Sequence, residues 1–163
     1  MIILGIVTGR FDSSNQRQRV EGFKDAINKE KRIKLVDIKE SHITKNGAVQ
    51  AAYNLLRENP YLTAFYGTSA LDGIGVDQAV KQFPYKPKPY IVVFDTLPET
   101  LSLVQEGSID ATISQYPYEM GYEAVEVLLK LKKGEHPNVL QHTDTMVISP
   151  NQLPITPAVG KEL

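Results

Sequence analysis

Cysteine is absent from the sequence, and so is any long apolar run. Without cysteine the protein has no disulfide scaffold, no thiol nucleophile and no thiolate metal site, and its redox compartment stays open. The opening stretch MIILGIVTG lacks a basic region and is far too short to span a bilayer. We therefore expect it to form a strand, and not a signal peptide or a membrane anchor.

The charges of the chain nearly cancel. Its 18 Lys and Arg residues stand against 19 Asp and Glu residues, for a formal net charge of −1 at pH 7. This balance gives no electrostatic basis for binding a nucleic acid or an anionic membrane surface. At 163 residues, with 42% hydrophobic and 23% charged side chains, the sequence is typical of a globular protein. We find no internal repeat or linker, so we expect residues 1–163 to form a single domain.

Short apolar segments alternate with longer amphipathic ones along the chain. The short segments predict strands, and the longer ones carry apolar residues at helical spacing. The predicted strands span residues 2–8, 32–39, 62–67, 89–95, 110–115 and 144–149, and the predicted helices span 15–29, 46–58, 69–82, 98–106 and 117–133. This alternation predicts an α/β domain with a mostly parallel sheet, right-handed crossovers and helices on both faces.

Polar residues follow most of the predicted strands. Sheets of this kind bind their ligands at the carboxyl ends of the strands. The residues expected there are 9–19 after the first strand, Ser41 and His42 after the second, 67–69 after the third, Asp95 and Thr96 after the fourth, and Gln115 after the fifth. Together they supply an arginine, hydroxyls, a carboxylate and an amide. This is a hydrogen-bonding set without an obvious pair of nucleophile and base.

Motifs of several enzyme and metal sites are missing. The Gly-x-Gly at Gly73 and Gly75 lies inside a predicted helix, where it cannot form the turn of a dinucleotide site, and no Gly-Lys-Ser/Thr ends a phosphate loop. His42, His136 and His142 lack the spacing of a metal site, so we interpret them as exposed loop residues. The sequence thus predicts no cofactor, no metal site and no enzymatic activity.

Four segments carry a family resemblance. They are NQRQRVEGFKDAI after the first strand, FYGTSALDGIG after the third, VVFDTLPE at the fourth and GSIDATISQYPYEMG at the fifth. In order and spacing these segments resemble the second half of a type I periplasmic sugar-binding protein of the ribose-binding branch. The resemblance implies a flavodoxin-like three-layer αβα fold that forms one lobe of a clamshell. The chain would then be the second lobe and the return segment, with a sugar in the cleft.

The resemblance also implies roles for individual residues. Arg19, in the pattern RVEGF, matches the family's arginine whose fork donates to two sugar oxygens. Asp95 matches the strand-end carboxylate that accepts from two adjacent hydroxyls, and Gln115 matches the amide that closes the hydroxyl network. From the residues alone three alternatives stay open: a solvated arginine, an N-cap for the helix after Asp95, and a glutamine that satisfies loop backbone.

The end of the third strand departs from the family pattern. Thr68 and Ser69 stand where the family usually has Asn-Asp, so a hydroxyl replaces a bidentate amide. We keep Thr68 and Ser69 among the expected ligand-binding residues, but this change argues against ribose itself as the ligand. Ser69 and Asp72 can in addition form a capping box that starts the third helix.

Residues 117–133 correspond to the helix that, in the family, crosses to the first lobe. Its apolar stripe must be covered, because burial of each larger side chain contributes roughly 1.5–3 kcal/mol. The stripe consists of Met120, Ala124, Val127, Leu128 and Leu131. We expect this helix to fold back onto the sheet of its own chain, with a homodimer through residues 117–133 as the alternative.

The function that the resemblance implies is non-catalytic binding of a monosaccharide. The full-length protein would feed an ABC transporter or a sensor, and would lie outside the cytoplasm. Its partners would be the sugar and the membrane transporter or sensor subunits, without direct nucleic acid contact by this segment. The alternative is the effector-binding domain of a lactose-repressor-type transcription regulator, which would be cytoplasmic. An enzyme on a flavodoxin-like sheet is a third class, and it lacks a cofactor loop.

Overall fold

The computed structural model describes residues 1–83, 87–137 and 143–153. His142 and residues 154–163 lie outside these ranges, so the exposed loop at His142 and the extent of the single domain to residue 163 stay predictions. Among the described residues, none of the helices combines the length and the hydropathy that a membrane span requires.

Strands and helices alternate along the described chain as predicted. The strands are β1 (Ile2–Thr8), β2 (Ile33–Glu40), β3 (Ala64–Gly67), β4 (Tyr90–Phe94), β5 (Ala111–Gln115) and β6 (Thr145–Ile148). The helices are α1 (Ser14–Ile27), α2 (Lys45–Glu58), α3 (Ala70–Gln82), α4 (Pro98–Gln105) and α5 (Pro117–Lys132). The sheet order is β2-β1-β3-β4-β5-β6; β1 to β5 are parallel, and β6 is antiparallel to β5. The predicted fold class, a three-layer αβα domain with a mostly parallel sheet, is confirmed.

Helices cover the two faces of the sheet unequally. On one face, Val20 and Phe23 of α1 pack against β1 and β3, and the Phe23 and Tyr66 rings stack with centroids 4.4 Å apart. On the other face α2, α3 and α4 share a larger core with the sheet. Its fully buried members include Val7, Leu55, Leu56, Phe65, Val76, Ile91, Val93 and Val104. Successive strand residues point to opposite faces, which is why β1, β2, β3 and β4 each contribute to both cores.

Two glycines of α3 allow this helix to pack closely. A Cβ atom on Gly73 would lie 2.4 Å from Cγ1 of Val93 in β4, and one on Gly75 would lie 2.4 Å from Cβ of Ala48 in α2. Atoms in a close-packed interior do not approach so closely, so a side chain at either position would push α3 away from its neighbours. The Gly-x-Gly pattern of this chain therefore has a packing role.

The fold-back predicted for residues 117–133 is wrong. No residue of α5 is buried, and Leu128 and Leu131 of the predicted stripe are 64% and 52% exposed. The antiparallel β6 supplies the reason: α5 begins directly after β5, and Thr145 at the start of β6 pairs with Gln115 at the end of β5. The chain leaves and re-enters the sheet at the same edge, whereas a covering helix would carry it toward the opposite edge. Pairing with a second copy stays a prediction.

We expect Gly73→Ala and Gly75→Ala each to lower the free energy of unfolding by about 1–3 kcal/mol, because the added methyl group overpacks α3. The control is Gly22→Ala in α1, where an added Cβ meets no atom within 4 Å. That change should raise the free energy of unfolding by about 0.5–1 kcal/mol, since alanine is the better helix former. Urea denaturation followed by circular dichroism measures all three. Equal effects at the three positions would contradict the packing argument.

Candidate functional site

The candidate site lies where four parallel strands end. β1, β3, β4 and β5 are successive neighbours in the sheet, so their carboxyl ends share one edge. The chain runs from β1 outward to β2 and then across to β3, and a ligand crevice is expected at such a reversal. Arg19 comes from α1, Thr68 and Ser69 follow β3, Asp95 follows β4, and Gln115 ends β5.

Arg19 is held by three groups and is not a solvated side chain. Its Nη1 donates a hydrogen bond of 2.7 Å to the carbonyl oxygen of Thr68, and its guanidinium carbon lies 4.1 Å from the centroid of the Phe94 ring. The same Nη1 is 3.9 Å from Oδ2 of Asp95, and the Arg19 side chain is only 15% exposed. Stacking and hydrogen bonding together fix the plane of the guanidinium.

Asp95 has a left-handed backbone with a φ of 69°. Aspartate tolerates this region better than most residues, and neighbours on β5 hold it there. The Asp95 N–H donates to the carbonyl of Ile113 at 2.9 Å, and its own carbonyl accepts from the Thr112 hydroxyl at 2.6 Å. The N-cap alternative for Asp95 is wrong, because the N-cap of α4 is Leu97. Thr96 and Leu97 separate Asp95 from the start of that helix.

Gln115 is the amide that meets Asp95. Its Nε2 donates to Oδ1 of Asp95 at 2.7 Å, so its side chain orients the carboxylate and does not satisfy loop backbone, the alternative that the sequence left open. The two side chains come from adjacent parallel strands, which explains their contact across 20 residues of sequence. The structure thus brings Arg19, Asp95 and Gln115 together, as the sequence predicts.

Thr68 and Ser69 lie at the same edge but face inward. Thr68 is fully buried, and its hydroxyl lies among the side chains of Thr8, Gln16 and Asp72. Ser69 is half-buried at the N-cap of α3, where its oxygen accepts from the Asp72 N–H at 3.2 Å and its hydroxyl donates to Oδ2 of Asp72 at 2.7 Å. In this structure Thr68 faces the site with its backbone carbonyl only.

Three residues of this region were not predicted as members of the site. The Phe94 ring stacks against the guanidinium of Arg19. Gln16 is buried beside Thr68, and Asp72 is a buried carboxylate. Position gave a signal for Phe94, since it stands directly before Asp95 at the strand end. No comparable signal marks Gln16, because one glutamine in a polar helix start resembles any exposed glutamine.

The assembled groups suit hydroxyl-rich ligands. At 3.9 Å the Arg19 and Asp95 side chains are too far apart for a direct hydrogen bond, so donors and acceptors remain for a ligand. The residues 1–83, 87–137 and 143–153 contain no group of three or more His, Cys, Asp or Glu side chains that could hold a metal ion. Charge-assisted hydrogen bonds are the chemistry that this edge offers.

We expect Asp95→Ala to be less stable than Asp95→Gly by about 1 kcal/mol, because only glycine adopts a positive φ without a steric cost. Thr96 is the control, since its φ is not positive. At position 96 the order should reverse, so that Thr96→Ala is at least as stable as Thr96→Gly. Denaturant titration of the four variants measures the difference. An alanine at position 95 that matches glycine would exclude the left-handed backbone.

This chain is similar to known binding proteins in sequence and in structure. The family model of the periplasmic binding protein domain matches residues 3–136. GanP, a glucose-galactose binding protein from Geobacillus stearothermophilus, is 47% identical with a TM-score of 0.90, over 94% of this chain and 55% of GanP. The D-allose-binding periplasmic protein of Escherichia coli (strain K12) is 28% identical over 131 residues, which are 80% of this chain and 42% of that protein.

A regulator is also among the relatives. The ribose operon repressor of Haemophilus influenzae is 29% identical over 158 residues, which are 90% of this chain and 43% of the repressor. The chain therefore spans about half the length of the relatives it matches. Since the family model covers most of the sequence and the structural similarity covers nearly all of it, this chain belongs to the periplasmic binding protein domain family.

Proposed function

We propose that this chain is the sugar-binding lobe of a solute-binding protein that captures a monosaccharide for an ABC transporter or a membrane sensor. The observation that carries the proposal is the convergence of Arg19, Asp95 and Gln115 at one sheet edge. Relatives named for allose, ribose and arabinose binding support it. The location that follows for the full-length protein is outside the cytoplasm.

The proposed mechanism is hydrogen-bond capture without chemical conversion. The Asp95 carboxylate accepts from two neighbouring sugar hydroxyls, and the N–H groups of Arg19 that Thr68 does not use donate to sugar oxygens. Gln115 holds the carboxylate in place before the sugar arrives. No side chain of this set pairs a nucleophile with a base, so the sugar leaves unchanged.

A hexose is the proposed ligand class. GanP is described as a glucose-galactose binding protein, and its identity of 47% exceeds the 23% of the allose-bound and arabinose-bound solute-binding proteins. The replacement of the family's Asn-Asp by Thr68 and Ser69 also argues against ribose. D-Galactose and D-glucose are therefore the first sugars to test.

The regulator is the second candidate function, because the ribose operon repressor matches 90% of this chain. Its effector domain would bind a sugar at the same edge but would control DNA binding and lie in the cytoplasm. The full-length sequence separates the two candidates. A signal peptide or lipid anchor ahead of the first lobe supports transport, and a helix-turn-helix supports regulation.

We expect D-galactose or D-glucose, at millimolar concentration, to shift the backbone amide NMR signals of residues 67–69, 95–96 and 115 in the ¹⁵N-labelled chain. Arg19→Ala and Asp95→Asn should each weaken this binding roughly tenfold or more, because each removes a charged hydrogen-bond partner. Asparagine is chosen for position 95 because it tolerates the left-handed backbone.

Arg17→Ala is the matched control for this titration. Arg17 lies two positions before Arg19 on the same helix, and its side chain is exposed. The variant Arg17→Ala should bind the sugar with wild-type affinity. The sugar should be recovered unchanged from every sample. Wild-type affinity in both Arg19→Ala and Asp95→Asn would refute the assigned site.

We propose that the first lobe of the full-length protein covers α5. This helix exposes a wide apolar surface, with Tyr122, Val125, Leu128, Leu129 and Leu131 each more than half exposed. Its acidic residues Glu119, Glu123 and Glu126 lie together on the opposite side by helical spacing. A surface of this size in water favours association, so a second copy would take the place of the first lobe in the isolated chain.

The isolated chain should therefore self-associate as its concentration rises, in sedimentation velocity measurements. The double substitution Leu128→Lys with Leu131→Lys should restore the monomer without loss of stability, since both side chains are exposed. Glu126→Lys changes the net charge by the same amount on the polar side of α5 and should leave association unchanged. A wild-type chain that stays monomeric at all concentrations would contradict this prediction.

A further inference from the structure

A network of buried polar side chains lies behind the candidate site. Its members are Thr8, Gln16, Ser41, Thr68 and Asp72, and none of them is more than 7% exposed. They come from five different elements or strand ends, yet they meet at one place. Burial keeps all five from touching a ligand directly, so the network needs another explanation than sugar contact.

One half of the network anchors the start of α1. The Gln16 side-chain oxygen accepts from the Thr8 hydroxyl at 3.0 Å, from the Thr68 hydroxyl at 2.8 Å and from the Gly9 N–H. Gly9 makes this possible, because a Cβ atom there would lie 2.5 Å from Nε2 of Gln16. A single glutamine thus ties α1 to the ends of β1 and β3.

The other half of the network is centred on Asp72 of α3. Its Oδ1 accepts from the Ser41 hydroxyl at 2.6 Å, and its Oδ2 accepts from the Ser69 hydroxyl at 2.7 Å. The Thr68 hydroxyl lies 3.1 Å from Oδ2, and its single proton serves either Asp72 or Gln16. Burial raises the pKa of Asp72, and the three hydroxyl donors oppose that shift. A buried carboxylate that lost these donors would carry a large desolvation cost, so the hydroxyls stay oriented toward it.

Thr68 belongs to both halves of the network and also contacts Arg19. Its hydroxyl lies between Gln16 and Asp72, while its carbonyl accepts from Nη1 of Arg19 at 2.7 Å. Its N–H donates to the Val7 carbonyl at 3.0 Å. Gln16 and Arg19 are three residues apart and therefore lie on one face of α1. Gln16 holds the part of α1 from which the Arg19 side chain starts, and the Thr68 carbonyl holds its guanidinium. Both ends of the Arg19 side chain are therefore held in place.

We propose that Gln16, Thr68 and Asp72 are positioning residues that set the place and the plane of the Arg19 guanidinium. Their effect on sugar affinity rests on the proposed function, whereas their effect on Arg19 does not. A purely structural network would change stability when it is cut but would leave the guanidinium where it is.

Thr68→Val and Gln16→Ala are the variants that cut the network. Valine keeps the shape of Thr68 and its carbonyl but removes the hydroxyl, and Thr68→Ser is the conservative variant that keeps the hydroxyl. Asp77→Asn is the matched control. Asp77 is also a buried carboxylate on α3, but it binds the Ser108 hydroxyl and pairs with Lys81 at 2.8 Å.

The first measurement is the ¹⁵N spectrum of the arginine side chains, with the Arg19 signals assigned by Arg19→Lys. A guanidinium that is stacked and hydrogen-bonded turns slowly about its Nε–Cζ bond and gives separate Nη signals, whereas a free one gives an averaged signal. The second measurement is the titration with D-galactose and D-glucose. Urea denaturation of each variant records the stability alongside.

We expect averaged Arg19 signals and about fivefold weaker sugar binding in Thr68→Val and Gln16→Ala. Thr68→Ser and Asp77→Asn should keep separate signals and wild-type affinity, even where their stability falls. Separate Arg19 signals in both Thr68→Val and Gln16→Ala would overturn the proposal.

Two further outcomes keep the proposal and the proposed function distinct. If the Arg19 signals respond as expected but the wild type binds no sugar, the proposed function fails and the positioning of Arg19 stands. If Gln16→Ala does not fold, Ser41→Ala takes its place, because it removes a donor from Asp72 at the far end of the network. Averaged Arg19 signals in Ser41→Ala support the proposal, and separate Nη signals in that variant count against it.

Discussion

Parallel pairing of β1, β3, β4 and β5 is the constraint on which the candidate site depends. It brings residues far apart in sequence to one edge, so that Gln115 reaches Asp95 from the neighbouring strand. The helix after β1 begins at the same edge, and its second turn brings Arg19 to the carbonyl of Thr68, which follows β3. In an antiparallel arrangement of these strands the same polar residues would be divided between two opposite edges.

The position of the Asp95 carboxylate requires an unfavourable backbone conformation. Asp95 adopts a left-handed conformation, which two neighbours on β5, Thr112 and Ile113, maintain through hydrogen bonds. Strained residues of this kind persist where the surrounding structure determines them, and they concentrate at binding sites. Under the proposed function, the hydrogen bonds that hold the Asp95 carboxylate and the Arg19 guanidinium favour affinity, because they reduce the freedom that these groups lose on binding.

The helix α5 is left uncovered by the sheet of its own chain. It leaves the sheet beside Gln115 and returns beside Thr145, and its apolar residues remain exposed. The chain spans about half the length of its relatives, so a second lobe would supply both the cover for this helix and the opposite wall of the cleft. Under the proposed function the isolated chain should bind sugar weakly, because one lobe provides only part of a sugar's hydrogen bonds.

Residue patterns predicted the order of strands and helices, the mostly parallel sheet and the strand-end positions of Asp95 and Gln115, because periodicity is a property of neighbouring residues. The family resemblance singled out Arg19 and implied the roles of all three side chains. The inward direction of the Thr68 hydroxyl is a property of the folded chain, since partners on other elements set it. The position of α5, away from the sheet, is another such property. The direction of β6 depends on the edge at which the chain re-enters the sheet after α5. The two-residue period of a strand sequence carries no information about that edge.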